Sequence, residues 1–259
     1  MIVVVDIGNS NVVLGFYERG ICQNTWRIPT LKDSEADYFY DVKLRSEIFE
    51  QGLNIENITG CILSTVVPSL KPLFQSLLAN VFEVEVITVG PKLYQELSFK
   101  VPRPYEIGTD LVANAYSAYH TYNRDCIVVD FGTALTFTTV SGDGYVQGVA
   151  IAPGIKTAMK ALSSNTAQLP EIPLELPDSV LGQNTTHAIQ AGILWGYVGM
   201  AKQLITKIRS EVGDHYIAVA TGGLSFVMEP LDAMFHQIDR NLTMNGLRLM
   251  YTHKVNKEL

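Results

Sequence analysis

The feature that most constrains this 259-residue chain is an echo of its opening in its second half. The N-terminus reads Ile2-Val3-Val4-Val5-Asp6-Ile7-Gly8-Asn9-Ser10. The run Ile127-Val128-Val129-Asp130-Phe131-Gly132-Thr133-Ala134 repeats that plan almost half the chain later. Each copy leads into a segment rich in β-branched and aromatic residues, Val12–Tyr17 and Leu135–Val140. A glycine-containing turn and a third strand follow, near Ile21–Ile28 and Tyr145–Ile151. Helical patterns come next, over roughly 33–51 and 154–163. Further on lie a strand over Ile58–Thr65, a helix over Ser69–Val81, and strands over Val84–Val89 and Tyr216–Ala220. A motif and its hairpin recurring together, in order, predict two α/β domains related by duplication, an N-terminal lobe over 1–115 and a C-terminal lobe over 116–259.

Apolar residues make up 47% of the chain, enough for a buried core in each half. A net charge of −7 without any Lys/Arg run argues against a nucleic-acid partner. The three cysteines, Cys22, Cys61 and Cys126, are far apart and form no CxxC pair, which predicts reduced thiols in a cytoplasmic protein. Only four apolar residues separate Met1 from Asp6, too few for a signal peptide. The longest apolar stretch, Ala188–Ala201, has the length of a core helix rather than a membrane span, so no membrane partner is expected. Within the helix expected over 186–208, Gly192, Gly196 and Gly199 favour close core packing over a subunit seam.

A strand that ends in Asp-x-Gly-x and turns straight back places small residues at a tight corner. Gly8 and Gly132 let the backbone approach a ligand closely, and successive N–H groups at such a corner form an anion-binding concavity. Ser10 and Thr133 add hydroxyls; Asn9 and Asn11 add amides. A carboxylate beside a phosphate requires a cation between them, so Asp6 implies Mg²⁺ held through water. Asp130 meets the same requirement in the second half. Two such corners facing one another would grip a triphosphate. Asp-x-Gly is also an ordinary turn, and it is the second copy in an equivalent position that favours a site. No Walker A, Gly-x-Gly-x-x-Gly or His-Arg-Asp motif is present.

Asp6-Ile7-Gly8-Asn9-Ser10-Asn11, Asp130-Phe131-Gly132-Thr133-Ala134 and Ala220-Thr221-Gly222-Gly223-Leu224 resemble the two phosphate motifs and the adenosine motif of the actin/sugar kinase/Hsp70 ATPase superfamily. Within it, Asp-Ile-Gly-Asn-Ser-Asn is similar to the type III pantothenate kinases. So are Glu106-Ile107-Gly108-Thr109-Asp110, Ala152-Pro153-Gly154-Ile155, Asn165-Thr166-Ala167-Gln168-Leu169-Pro170 and Gly182-Gln183-Asn184-Thr185. The resemblance runs along essentially the whole chain. It implies a duplicated actin-like fold of two ribonuclease H-like α/β domains with mixed sheets. It also implies ATP-dependent phosphorylation of pantothenate, the first step of coenzyme A biosynthesis, by a homodimer.

By its residues alone, Asp110 at the start of a helix over Leu111–Tyr119 is either a first-turn carboxylate satisfying helix N–H groups or a base for a substrate hydroxyl. The resemblance implies the base. It further implies that Asp6, Ile7, Gly8, Asn9, Ser10, Asn11, Val12 and Val13 form the first phosphate loop, and that Thr133, Gly222 and Gly223 contact the nucleotide. Gly108, Thr109, Asp110 and Leu111 would line the substrate pocket, with Thr185 contacting substrate from a partner subunit. Asp130 would hold a monovalent cation, K⁺ or NH₄⁺. For Thr185 the residues leave helix N-capping open as well. Two positions depart from the family: Leu111 stands where many members carry Arg, and Val101 where many carry Tyr, with Arg103 and Tyr105 nearby as stand-ins. The departures keep a kinase for another small hydroxylated metabolite in view, beside a catalytically silent nucleotide-binding regulator.

Overall fold

A computed structural model describes residues 1–33, 35–164 and 172–258, except the side chains of 226–229 and 258. The chain forms two compact units, Met1–Ser117 with Thr243–Leu259, and Ala118–Leu242.

In the first unit, Ile2–Ile7 (β1) pairs antiparallel with Asn11–Glu18 (β2), and β2 with Ile21–Pro29 (β3). On its other side β1 runs parallel to Gly60–Thr65 (β4), and β4 to Val86–Thr88 (β5). The sheet order is β3-β2-β1-β4-β5. Val3, Val4, Val5 and Ile7 are completely buried, which is why β1 is a continuous apolar run instead of an alternating one. At the edge, β3 alternates and turns only Trp26 and Ile28 inward. Helices Ala36–Glu50 (α1) and Lys71–Phe82 (α2) contribute Tyr40, Leu44, Phe74 and Leu78 to the core. Pro91–Glu96 (α3) follows β5, and Thr109–Tyr122 (α4) begins within the Gly108-Thr109-Asp110 motif.

The second unit repeats this wiring. Cys126–Phe131 (β6), Ala134–Val140 (β7) and Val146–Pro153 (β8) form the antiparallel part; Ile217–Thr221 (β9) and Gln237–Ile238 (β10) add the parallel part, in the order β8-β7-β6-β9-β10. The echo extends to defects. The β2–β3 ladder shifts register between Phe16 and Tyr17, and β7–β8 shifts between Thr139 and Val140, the same place once the second corner's one-residue-shorter turn is allowed for. Such bulges are kept features of a sheet, so their coincidence argues for duplication more strongly than the motif alone. Ile155–Ser164 (α5) follows β8, and its Ile155 joins the second core.

Two expectations change. The sequence assigns everything up to the last residue to the C-terminal lobe, but the helix Leu242–Glu258 (α8) belongs with the first unit from Thr243 onward. It packs on α4: Thr243 Oγ1 donates to Asn114 Oδ1 at 2.7 Å, Tyr116 Oη lies 2.7 Å from His253 Nδ1, and Gly246 lets the backbones meet at Ala113. Likewise, the single helix over 186–208 is Thr185–Gln190 (α6), a π-helical stretch Ala191–Trp195, and Gly196–Val212 (α7). A wider turn fits where Gly192 and Gly196 weaken helix propensity and where Trp195 Nε1 is drawn to Pro177 O, 3.0 Å away. A methyl group on Gly192, Gly196 or Gly199 would meet none of the described residues within 4 Å, so these glycines do not serve close packing among them.

Candidate active site

In the first unit, β1 ends at the corner Gly8–Ser10. Gly8 N–H donates to Asn11 O at 2.9 Å, and a side chain on Gly8 would press on that oxygen at 3.2 Å. The residues after β3 brace the corner. Thr30 Oγ1 donates to Gly8 O at 2.7 Å, Thr30 N–H to Ser10 O at 3.1 Å, and Lys32 Nζ to Asn9 Oδ1 at 3.0 Å. Asn9 and Ser10 are exposed, while Ile7 and Val12 are fully buried. The last two can therefore serve a ligand only through their backbone.

The parallel pairing of β1 with β4 sets Ser64 directly beside Asp6. Ser64 is fully buried and donates from Oγ to Asp6 Oδ1 at 2.8 Å. Its Oγ also lies 2.9 Å from Thr109 Oγ1, whose one proton can go either to Ser64 Oγ or to Thr65 O, 3.1 Å away. With the Thr109 proton on Ser64 Oγ, one hydroxyl chain joins the carboxylate of the first corner to the start of α4. Asp110 is the next residue. Its Oδ1 accepts the Leu111 N–H at 2.8 Å, and any side chain on Gly108 would collide with that oxygen. Burial pushes the Asp110 carboxyl above the usual carboxylate range, and the N–H groups of Leu111 and of Asp110 itself offset part of that. A partly desolvated carboxylate with a raised pKa is what a proton acceptor at neutral pH requires. The other reading of its residues, an N–H partner in the first turn, is met by Oδ1 through the Leu111 N–H.

Leu111 is buried, and its side chain carries no polar group. Neither stand-in for the absent family residues is drawn inward: Tyr105 is 88% exposed, and Arg103 pairs with Glu106 at 3.5 Å on the surface. Tyr94 is the aromatic residue that feels Asp110. It is buried, its hydroxyl has no hydrogen-bond partner among the described residues, and desolvation together with the Asp110 charge raises its pKa.

In the second unit three motifs meet. At the β6–β7 corner Gly132 N–H donates to Ala134 O at 3.1 Å. Gly154 N–H and Thr157 Oγ1 both donate to Thr133 O, at 3.0 and 2.7 Å, and Gly154 lies so close to Gly132 and Thr133 that no side chain fits. The turn after β9 closes on the same place. Gly222 has φ +92°, and a methyl on it would stand 2.5 Å from Asp130 Oδ1. Asp130, Thr133, Gly222 and the Ala-Pro-Gly motif are therefore one constellation, with Gly223 beside it in the chain.

Thr185 sits apart from it, in a groove of 620 Å³ lined also by Gly182, Asn184, Ile189 and Ile193. Asn184 caps α6, its Oδ1 accepting the His187 N–H at 2.9 Å, so the capping role considered for Thr185 belongs to its neighbour. Asn165–Pro170 lies outside the described residues. No group of three or more His, Cys, Asp or Glu side chains suited to a metal occurs among the described residues. None of their helices is long and apolar enough to cross a membrane. Cys61 and Cys126 are buried with thiols pushed up to about 12, and Cys22 is exposed.

The sequence reading missed Ser64, Lys32 and Tyr94. Ser64 had a usable signal: polar residues closing an apolar strand, Cys61-Ile62-Leu63-Ser64-Thr65, at the carboxyl end where open α/β sheets bind ligands. In the second half Thr221 occupies the matching place beside Asp130.

The sequence profile of the family described as type III pantothenate kinase matches residues 2–207. A type III pantothenate kinase of Brevibacillus brevis is 40% identical over 97% of this chain and 98% of its own length. One of Treponema pallidum strain Nichols is 41% identical, over 94% and 91%. Among solved structures, a 2-dehydro-3-deoxygalactonokinase candidate from Sinorhizobium meliloti superposes with a TM-score of 0.58 at 12% identity, covering 97% of this chain and 96% of that one. The ethanolamine utilization protein EutJ of Carboxydothermus hydrogenoformans gives 0.57 at 15%, covering 96% and 89%. At such identities the structural likeness carries the fold alone, a duplicated α/β actin-like ATPase fold. Joined to the sequence relatives and to motifs gathered at the two strand corners, it leads to one conclusion: the chain belongs to the type III pantothenate kinase family.

Proposed function

We infer that this chain is an ATP-dependent kinase that phosphorylates pantothenate to 4'-phosphopantothenate, with Asp110 as the general base. The observation that carries the residue assignment is Asp110 itself, a partly desolvated carboxylate held at the first turn of α4 and linked through Thr109 and Ser64 to the corner carboxylate Asp6. The substrate hydroxyl gives its proton to Asp110 as its oxygen bonds to the γ-phosphorus and the bond to ADP breaks. The remaining work is positioning and charge stabilisation. The corner Asp6–Val13 and Thr133 bind phosphate, Gly222 and Gly223 lie against the nucleoside, and Gly108–Leu111 and Thr185 contact pantothenate.

A single carboxylate, already oriented by a buried serine, fits Mg²⁺ that keeps most of its water and is held mainly by ATP phosphates. When bound, Mg²⁺ would neutralise charge on the transferred group, with Asp6 as its protein partner. Asp130, pressed against the glycine turn after β9, is the carboxylate for a monovalent cation. A cytoplasmic homodimer is the assembly proposed, with Thr185 serving the partner's substrate. The test is ADP release in the presence of Mg²⁺, with and without K⁺, across pantothenate, pantoyl compounds, sugars and polyols. Turnover with pantothenate alone is expected; ADP release with a sugar or polyol but not with pantothenate would overturn the substrate.

A further inference from the structure

The first corner brings a carboxylate to the proposed phosphate site, and among its motif residues 6–13 it has no positive side chain. The structure supplies one from outside the motif. Lys32, three residues past the end of β3, crosses to the corner and places Nζ 3.0 Å from Asn9 Oδ1. Among the described residues, Lys32 forms no ion pair. Its sequence neighbour Asp33 is engaged elsewhere, accepting the Glu35 N–H on Oδ1 at 3.1 Å. The approach is fixed by the fold, because Thr30 is pinned to the corner by two hydrogen bonds, to Gly8 O and Ser10 O. The lysine two residues later thus starts from a backbone anchored at the corner and has its ammonium within reach of it. Many of the first unit's other cations already face carboxylates: Lys43 with Glu47, Arg45 with Asp41, Lys92 and Lys254 with Glu96.

An exposed ammonium has small reason to hold an amide oxygen for stability, since water serves it as well. A polyphosphate rewards it: each phosphate oxygen brings negative charge that the amide lacks, and a lysine acts on it as a mobile point charge. We propose that Lys32 is an ATP-binding residue, whose ammonium leaves or shares Asn9 Oδ1 to contact a phosphate oxygen of the nucleotide at the Gly8–Asn11 corner. Asn9 is then the rest position that keeps the ammonium at the corner before ATP arrives. The proposal rests on the corner being the phosphate loop.

The experiment is calorimetric titration of the full-length protein with ATP·Mg²⁺, ADP·Mg²⁺ and adenosine, using wild type, Lys32→Gln, Lys32→Arg and Gly8→Ala, with melting curves as a check on folding. Gln can still donate to Asn9 Oδ1 but carries no charge, so it separates bracing from phosphate binding. Expected is a loss of about tenfold in ATP and ADP affinity for Lys32→Gln, adenosine affinity unchanged, and near-wild-type values for Lys32→Arg. If Lys32→Gln binds ATP like wild type while Gly8→Ala does not, Lys32 is only a brace and the proposal falls. An equal loss for ATP and adenosine would also overturn it, since a phosphate contact cannot act on a nucleoside. If Gly8→Ala and Lys32→Gln both bind normally, the corner itself is not the phosphate loop, and both readings fall together.

Discussion

Replacing Asp110 by Asn separates the two roles its position allows. The amide oxygen of Asn can take the Leu111 N–H that Asp110 Oδ1 now accepts at 2.8 Å, so the first turn of α4 keeps its partner. What disappears is the capacity to accept a proton. General-base catalysis is typically worth 10²–10⁴-fold, or about 2.7–5.4 kcal/mol of barrier, and kcat should fall by that much with ATP affinity unchanged. Stability should move the other way. The folded-state pKa of Asp110 is raised by burial, so the native protein binds the more protons between the unfolded and folded pKa values. The carboxyl therefore costs nothing below the unfolded value. It lowers stability as pH rises through the folded value, and the penalty persists at neutral pH. The substituted amide carries no charge to desolvate, so the variant should melt at or above the wild-type temperature at pH 7, and the gain should shrink in acid. In the wild type the same shift sets the acid limb of kcat/KM above the usual carboxylate range, with activity lost below it. Steady-state ADP release and melting curves between acid and neutral pH measure both. A variant turning over within tenfold of wild type would remove Asp110 as the base, and one that melts markedly lower would make it a structural helix-start residue.

Ser64→Ala removes a buried donor to a carboxylate, an interaction of about 1.5–3 kcal/mol, and should raise the Mg²⁺ concentration for half-maximal activity several-fold while lowering Tm. Ser64→Thr, the residue type found at the matching site beside Asp130, should retain most of both; equal damage from Thr would indicate packing, not the hydroxyl. Gly246→Ala would drive a methyl into the α4 backbone at Ala113 and should cost about 1–3 kcal/mol by denaturant titration, with little cost meaning that α8 sits looser on α4 than described. Tyr94→Phe deletes a buried hydroxyl that has no partner among the described residues and should leave stability equal or higher. If Tm falls by several degrees instead, that hydroxyl is satisfied in solution.

Much of the fold was legible because the chain states it twice. The apolar runs before Asp6 and Asp130 read as strands, and their burial on both faces accounts for the lack of a polar side. The glycines of the corners read as turns because only close backbone approach calls for them there. The candidate site was legible wherever it is local in sequence: Asp6 with Gly8, Gly108 with Asp110, Asp130 with Gly132. It was not legible where it depends on pairing across the sheet. Ser64 stands 58 residues from the carboxylate it orients, and nothing in the periodicity of β4 reveals which strand it will flank. Tyr94 and Lys32 reach the site from separate segments, and their own neighbours in sequence give no sign of it.

The chain's sequence by itself determined the duplication, the acidic strand corners and the kinase family, because these depend on residue type at short spacing. The tertiary structure alone decided that β4 lies parallel to β1 with Ser64 against Asp6, and that α8 joins the first unit. It also decided that the 192–199 glycines face away from the core. Each of these is a choice among long-range pairings that similar local patterns would permit, and it is made by the burial and hydrogen-bond satisfaction of the whole unit.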